Sequence, residues 1–252
     1  MRTLRFTLAY DGTNYVGWQR QAQGCSVQGE LERALAEVEG CAVTVHGAGR
    51  TDAGVHALGQ VASVRLTHDI DLESLVHALN AKLPADIRVV AVERADDRFH
   101  ARFAARNKSY RYYLVTGAVA SPFTRTHAWH VPGLLDADAM QDAGEVLVGQ
   151  HDFSAFQAVG SKVRSTVRTM HRVHIGTQLF PSIAPEAQLT TIDVVGDGFL
   201  RHMVRIMVGT LVSVGTGQRS VGTIAKVIAS RQRERAGVTA PAHGLFLVAV
   251  DY

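Results

Sequence analysis

Thr3-Leu-Arg-Phe-Thr-Leu-Ala-Tyr10 sets Leu4, Phe6, Leu8 and Tyr10 at every second position, against Thr3, Arg5, Thr7 and Ala9. A period of two puts the four large side chains on one face of a half-buried strand. The pattern then changes. Ser26 has the chemistry of a helix N-cap, and Val27, Leu31, Ala34, Leu35 and Val38 form an apolar stripe closed by Gly40. A short strand is expected over 42–46 and another near 59–66. Leu72, Leu75, Val76, Leu79 and Leu83 mark a second helix that Pro84 ends, and 87–94 reads as a strand. Strand, helix, strand, strand, helix, strand is the ferredoxin-like order.

The second half offers a similar series. A strand is expected over 107–116, where Tyr110, Tyr112 and Leu114 alternate, then a helix from Asp136 to about Val148. Strands follow near 166–179 and 188–196, an apolar helix from Phe199 to Val214, a short helix from about Val221 and a last strand over 245–250. The expectation is an α+β protein of two related ferredoxin-like halves, 1–104 and 105–252. Where two such sheets join, a central cleft is a natural place for a site.

The composition is that of an ordinary globular chain, with 252 residues, 46% hydrophobic and 19% charged. No apolar run reaches membrane-spanning length, and the N-terminus lacks the apolar core of a signal peptide. Cys25 and Cys41 form no metal-type pair and fit a reducing cytoplasm. The net charge of +3 is modest, but the cations cluster. Arg98, Arg102, Arg106, Lys108 and Arg111 share an acid-free stretch with Phe99, Phe103 and Tyr110. Lys162, Arg164, Arg168 and Arg172 make a second such stretch, and Arg231, Arg233 and Arg235 add a third cluster. Cations interleaved with aromatics suit a phosphate backbone with bases beside it.

Residues 47–57, Gly-Ala-Gly-Arg-Thr-Asp-Ala-Gly-Val-His-Ala, concentrate polar chemistry on a glycine-rich bend. A dinucleotide loop is excluded, because Asp52 stands where the third glycine of G-x-G-x-x-G belongs and would repel a pyrophosphate. No P-loop, G-x-S-x-G elbow or metal-type cluster is present. Asp52 could simply close an Asx-turn, but Arg50 and His56 exceed what a turn needs. Arg201 and Arg205, four apart in the expected apolar helix, would share a face. A guanidinium near a core needs an anionic partner, and Arg205 pairing with Asp52 would hold that carboxylate charged and oriented. An exposed Tyr110 would offer a stacking platform for an unpaired base. Tyr15 and Trp18 form either an aromatic–polar surface or a loop with buried rings. Two other readings remain at this point. One is a non-enzymatic RNA-binding protein with two RRM-like units, which leaves Asp52 unexplained; the other is a carboxylate hydrolase using Asp52 and His56, which leaves the basic strands unexplained.

Tyr10-Asp-Gly-Thr-x-Tyr-x-Gly-Trp-Gln, Gly49-Arg-Thr-Asp-Ala-Gly-Val-His-Ala57, Phe99-His-Ala-Arg-Phe103, Lys108-x-Tyr-x-Tyr112, His151-Asp-Phe153, Phe199-Leu-Arg-His-Met-Val-Arg205 and Pro241-Ala-His-Gly-Leu-Phe-Leu247 span nearly the whole chain. Together and in this order they resemble the tRNA pseudouridine synthase A (TruA) family. The resemblance implies two RRM-like halves in one pseudouridine-synthase fold, a homodimer, and no cofactor or metal. It implies isomerisation of uridine to pseudouridine in the anticodon stem-loop of tRNA, at tRNA positions 38 to 40. Asp52 matches the catalytic aspartate, Tyr110 the uridine-contacting tyrosine and Arg205 the aspartate's basic partner. Arg50 matches the residue taking the flipped base's place, with Thr51 and His56 beside it at the substrate, and Leu245 an apolar contact to uracil. Arg102, Arg106, Lys108, Arg111 and Arg201 are the expected RNA-binding cations, of which Arg201 has the least defined role.

Overall fold

The computed structural model describes residues 1–161, 163–179 and 187–252; Lys162, among the expected cations, lies outside them. The chain forms two compact units, Met1–Arg106 with Phe246–Tyr252, and Asn107–Leu245. Both mix antiparallel sheet with helices.

In the first unit β1 (Arg2–Tyr10) buries the alternating set, with Leu4, Phe6 and Leu8 at 0% exposure. It pairs antiparallel with β3 (His56–Leu66) on one edge and β4 (Ile87–Arg94) on the other. On the far edge of β3, β2 (His46–Gly47) pairs at Ser63 and Ala62, and β10 (Leu245–Asp251) pairs in parallel through Phe246 with His56 and Leu247 with Ala57. That parallel pairing draws Phe246–Tyr252 into the first unit, whereas element order alone assigned all of 105–252 to the second half. α1 (Val27–Glu39) starts where Ser26 Oγ accepts the Gly29 amide and stops at Gly40, whose φ is 74°. α2 (Leu72–Lys82) is capped by Asp71, and its Leu75 and Leu79 are fully buried. The strand expected over 42–46 shrinks to a two-residue pairing, because residues 42–45 make no ladder.

In the second unit β5 (Asn107–Thr116) pairs antiparallel with β9 (Gln188–Gly196), β9 with β8 (Val167–Leu179), and β8 with β7 (Gly149–Asp152). A short β6 (Trp129–Val131) runs parallel to β5. α3 (Ala137–Glu145) begins at Asp136, whose Oδ1 accepts the Ala139 amide at 2.9 Å, and packs on β8 and α4. It ends three residues short of Val148.

α4 (Met203–Gly215) is buried on almost every face, as its composition requires. It does not start at Phe199. His202 takes a left-handed φ of 61° and ends the preceding turn. Arg201 therefore lies outside the helix, exposed, and the four-residue spacing to Arg205 does not put the two on one helical face. α5 (Thr223–Ser230) follows. The His151-Asp-Phe stretch is structural: Asp152 accepts from Thr166 Oγ1 at 2.6 Å and Ser154 N at 3.0 Å and faces Arg231 Nε at 3.3 Å. The Thr166 hydroxyl, ahead of the other contacts, holds the Asp152 carboxyl below its usual pKa.

Burial and capping separate cleanly on α1. Leu31→Ala, at a fully buried position, is expected to cost about 2–5 kcal/mol in urea unfolding. Ser26→Ala, which removes one cap, is expected to cost about 1 kcal/mol. Equal losses would show that α1 does not seat its stripe in the core as described.

Candidate active site

Asp52 sits on a bend between β2 and β3, and a second loop, residues 11–18, grips that bend. Trp18 N donates to Thr51 O at 3.1 Å, and Gly12 N donates to His56 Nδ1 at 3.0 Å. Tyr10 and Thr51 share a hydroxyl hydrogen bond of 2.8 Å. The contact is backbone on backbone. A Cβ on Gly12 would lie 2.1 Å from Val55 O, and one on Gly17 would lie 2.5 Å from Thr51 O. Gly17 also has φ +109°, closed to ordinary side chains. Trp18, 2% exposed, lies against the Gly47 backbone, where a Cβ would meet its Nε1 at 2.4 Å. Gln60 Nε2 ties Gly49 O at 2.9 Å, and Val55 N returns to Asp52 O at 3.1 Å. The half-buried Asp52 is thus presented by a bend anchored on both sides. Tyr15, with its hydroxyl on Asp86, and Trp18 are buried, so their loop is the one with rings inside.

The other expected residues of this bend divide. Thr51 is 6% exposed, and burial pushes its partner Tyr10 up to about 12. His56 is 1% exposed and stacks on Phe246 at 4.5 Å and 20°. Its Nδ1 also lies 3.1 Å from Asp11 Oδ1. One nitrogen serves one proton at a time, so the Gly12 contact calls for the tautomer with Nδ1 bare. Arg50 is exposed and donates from Nε to Gln19 Oε1 at 3.1 Å.

Behind Arg50 runs a polar relay that the motifs did not announce. Gln19 Nε2 donates to Gln28 Oε1 at 2.8 Å, and Gln28 Nε2 donates to Glu32 Oε1 and Val45 O, both at 3.0 Å. Glu32 Oε2 faces Arg20 at 3.1 Å. Gln28 and Glu32 are each only 7% exposed. Their signal was present in the sequence: two polar residues at i and i+4 beside the apolar stripe of α1.

In the second unit Tyr110 is 8% exposed and meets Phe199 edge-on, centroids 5.0 Å apart. The expectation of an openly exposed platform is corrected, because Phe199, outside the helix, turns its ring onto the sheet. Tyr112 is fully buried, with its hydroxyl on Pro241 O at 2.8 Å. Arg205 is half-buried. Its Nε donates to Ala240 O at 2.7 Å, and Ala240 N donates to Arg205 O at 3.1 Å. That segment reaches α4 through another close approach, since a Cβ on Gly209 would lie 2.0 Å from Val238 O. His243 is a further polar neighbour. Burial first, and the Arg205 cation after it, hold its pKa below the ordinary value against a hydrogen bond to the Ala128 backbone. Leu245 is 5% exposed.

Of the expected RNA-binding cations, Arg111 is committed to the sheet. It grips Asp193, its cross-strand neighbour, at 2.6 and 3.0 Å, and that carboxylate raises its pKa. Arg102, Arg106 and Arg201 are exposed, and Lys108 is half-buried.

If the two loops of the first unit lock through missing Cβ atoms, Gly17→Ala should cost roughly 2 kcal/mol or more from φ strain alone. The displaced Thr51 carbonyl adds to that. An unchanged denaturation midpoint would show the loops are not interlocked.

The family described as tRNA pseudouridine synthase matches residues 7–104 and 143–252. The tRNA pseudouridine synthase A of Pelobacter propionicus is 44% identical over 252 residues, covering 100% of both chains. That of Acetivibrio thermocellus is 43% identical, again over 100% of both. The Moorella thermoacetica protein of the same name is 47% identical over 255 residues, with 100% of both covered. A solved Cbf5–Nop10–Gar1 complex is similar over 83% of this chain and 45% of its own, at 13% identity and a TM-score of 0.35, too low to carry weight. With a family match over most of its length and full-length relatives above 40% identity, the chain belongs to the tRNA pseudouridine synthase family.

Proposed function

We propose that this protein isomerises uridine to pseudouridine in the anticodon stem-loop of tRNA, at tRNA positions 38 to 40. The observation that carries the reading is the carboxylate of Asp52, held on a bend that two backbone-to-backbone contacts keep in place, in a chain whose full-length relatives are named for this reaction. The two units act as RRM-like halves of one pseudouridine-synthase fold. The first-unit strand order β4-β1-β3-β2 supports this, as does the antiparallel β5-β9-β8 of the second unit. The chain works as a homodimer in the cytoplasm. No helix among the described residues is long and apolar enough to cross a membrane.

The chemistry conserves atoms. The N1–C1′ bond of uridine breaks, a C5–C1′ bond forms, the C5 proton leaves and N1 gains one. No electrons enter or leave, so the balance needs no redox cofactor. The target must first leave its stack, at a cost of a few kcal/mol. Arg50, exposed and tethered to Gln19 by a side-chain hydrogen bond, takes the place the base leaves. Asp52 acts on the ribose side, either as nucleophile at C1′ or as base toward the neighbouring C2′ proton; both routes need its carboxylate form. Arg205 serves as the partner that orients it, with Thr51 and His56 behind the bend. Tyr110 contacts the base and receives the C5 proton, directly or through water, and Leu245 packs against the uracil. Arg102, Arg106, Lys108 and Arg201 face the phosphates.

Mapping pseudouridine in unmodified tRNA after incubation with the purified protein tests the reading. Asp52→Asn should slow formation at least about a thousandfold with tRNA binding largely intact. Tyr110→Phe should lose roughly 10²–10⁴-fold, the range for a lost proton acceptor. An active Asp52→Asn protein would overturn the assignment.

A further inference from the structure

One ring cluster of the first unit has no part in that chemistry. His46, from β2, stacks on His100 with centroids 4.9 Å apart and 29° between planes. His100 meets Phe103 at 4.4 Å and 37°. The Arg102 guanidinium carbon lies 5.8 Å from the Phe103 centroid, over the ring. Yet Phe103 is 77% exposed. A phenyl ring in water forgoes the burial that would stabilise the fold, and here the turn bearing it is built firmly.

That turn is anchored at its centre. Ala101 is fully buried, its amide donates to Ser63 Oγ at 3.1 Å, and its carbonyl accepts from Tyr252 Oη at 2.9 Å. Phe103 N and Ala104 N both donate to His100 O, at 3.1 and 3.0 Å, and Arg102 N donates to His100 Nδ1 at 3.1 Å. A ring held this way loses little freedom when something lands on it.

The surroundings select the occupant. Arg98, Arg102 and Arg106 are exposed, and among the described residues none of the three guanidinium groups has a carboxylate partner. Two acids precede Arg98: Asp96 spends Oδ1 on the Arg98 amide at 2.8 Å, and Asp97 is exposed with its backbone carbonyl accepting from Arg65 at 2.9 Å. Burial first, then His46, lowers the His100 pKa, so at neutral pH the imidazole is an uncharged ring behind Phe103. The core of a protein-docking patch is depleted in charged side chains, whereas exposed Arg98, Arg102 and Arg106 all lie close to this ring in sequence. An exposed ring with the Arg102 guanidinium against it, and with Arg98 and Arg106 exposed nearby in sequence, is complementary to a polyanion that also carries π faces.

We propose that Phe103, backed by His100 and His46 and flanked by Arg102, is a stacking site for an unpaired base of the RNA substrate other than the uridine that reacts. The proposal rests on the RNA-substrate reading above. It separates two contributions: the ring grips a base, and Arg102 grips phosphate.

Anisotropy titration of an unmodified tRNA transcript with the full-length protein, at several salt concentrations, tests it. Phe103→Leu should weaken binding roughly 5- to 100-fold and leave the slope of log K against log salt unchanged. Phe103→Trp, which keeps a stacking face, should bind within about twofold of the original. Arg102→Gln should reduce the salt slope by about one. Wild-type affinity in Phe103→Leu would overturn the site, as would a Trp variant as weak as the Leu variant. Failure of the enzyme reading looks different: a protein that binds tRNA but forms no pseudouridine would refute the reaction and leave the Phe103 losses in place.

Discussion

Backbone meeting backbone without a Cβ in the way is the contact on which the candidate site depends. Residues 11–18 approach residues 51–56 so closely that Gly12 and Gly17 have carbonyl oxygens where side chains would be. Trp18 then closes over Gly47, and the Trp18 amide takes the Thr51 carbonyl. These contacts fix the path of the bend before any functional side chain is placed. Asp52 inherits its position from carbonyl and amide geometry that no neighbouring rotamer can loosen. In the proposed reaction that carboxylate meets a single sugar carbon and gains from such placement, because small displacements at a reacting centre cost orders of magnitude.

The second unit uses the same device. Gly209 on α4 and Gly237 meet backbone to backbone, and Gly237 N donates to Thr210 Oγ1 at 2.9 Å. That seam leads directly to Ala240 and its reciprocal bonds with Arg205. Gly244 in turn lets the Tyr112 ring lie where a Cβ would be 2.6 Å from it. In each case an ionisable or aromatic group is set by a neighbour that has no side chain. Gly12, Gly17 and Gly244 of the quoted motifs are therefore part of the positioning apparatus and cannot be read as flexible spacers.

Periodicity carried most of the fold. Strands β1 and β5 lie where alternation put them, and β4 and β9 where strands were expected, since each has one face in the core. The errors arose where local pattern and tertiary packing disagree. Phe199 and Leu200 are as apolar as the helix that follows, but the left-handed His202 separates them from α4, and no periodicity records a single φ. β6 and β7, three and four residues long, are too short to show a period. Asp52 in the first unit and Arg205 in the second were legible as charged residues in unusual company. The Gln28–Glu32 relay left only a weak trace, a polar pair at i and i+4 beside the apolar stripe, because such a pair on a helix ordinarily means solvent. The Arg111–Asp193 pair needed the register of two strands 82 positions apart in sequence.

Placement and mobility divide between the two charged residues of the bend. Asp52 is half-buried on a carbonyl-locked turn. Arg50, two residues earlier, is exposed, and its side chain makes a single hydrogen bond among the described residues, to Gln19. A solvent-facing bond of that kind is worth about 1 kcal/mol, less than the few kcal/mol needed to hold a nucleotide out of its stack. Under the proposed function, RNA therefore takes Arg50 from Gln19 at little cost. The relay from Gln19 through Gln28 to Glu32 sets where the arginine waits and does not trap it there. A fixed carboxylate beside a movable cation suits a reaction in which the base must leave, turn and return while the sugar stays in place.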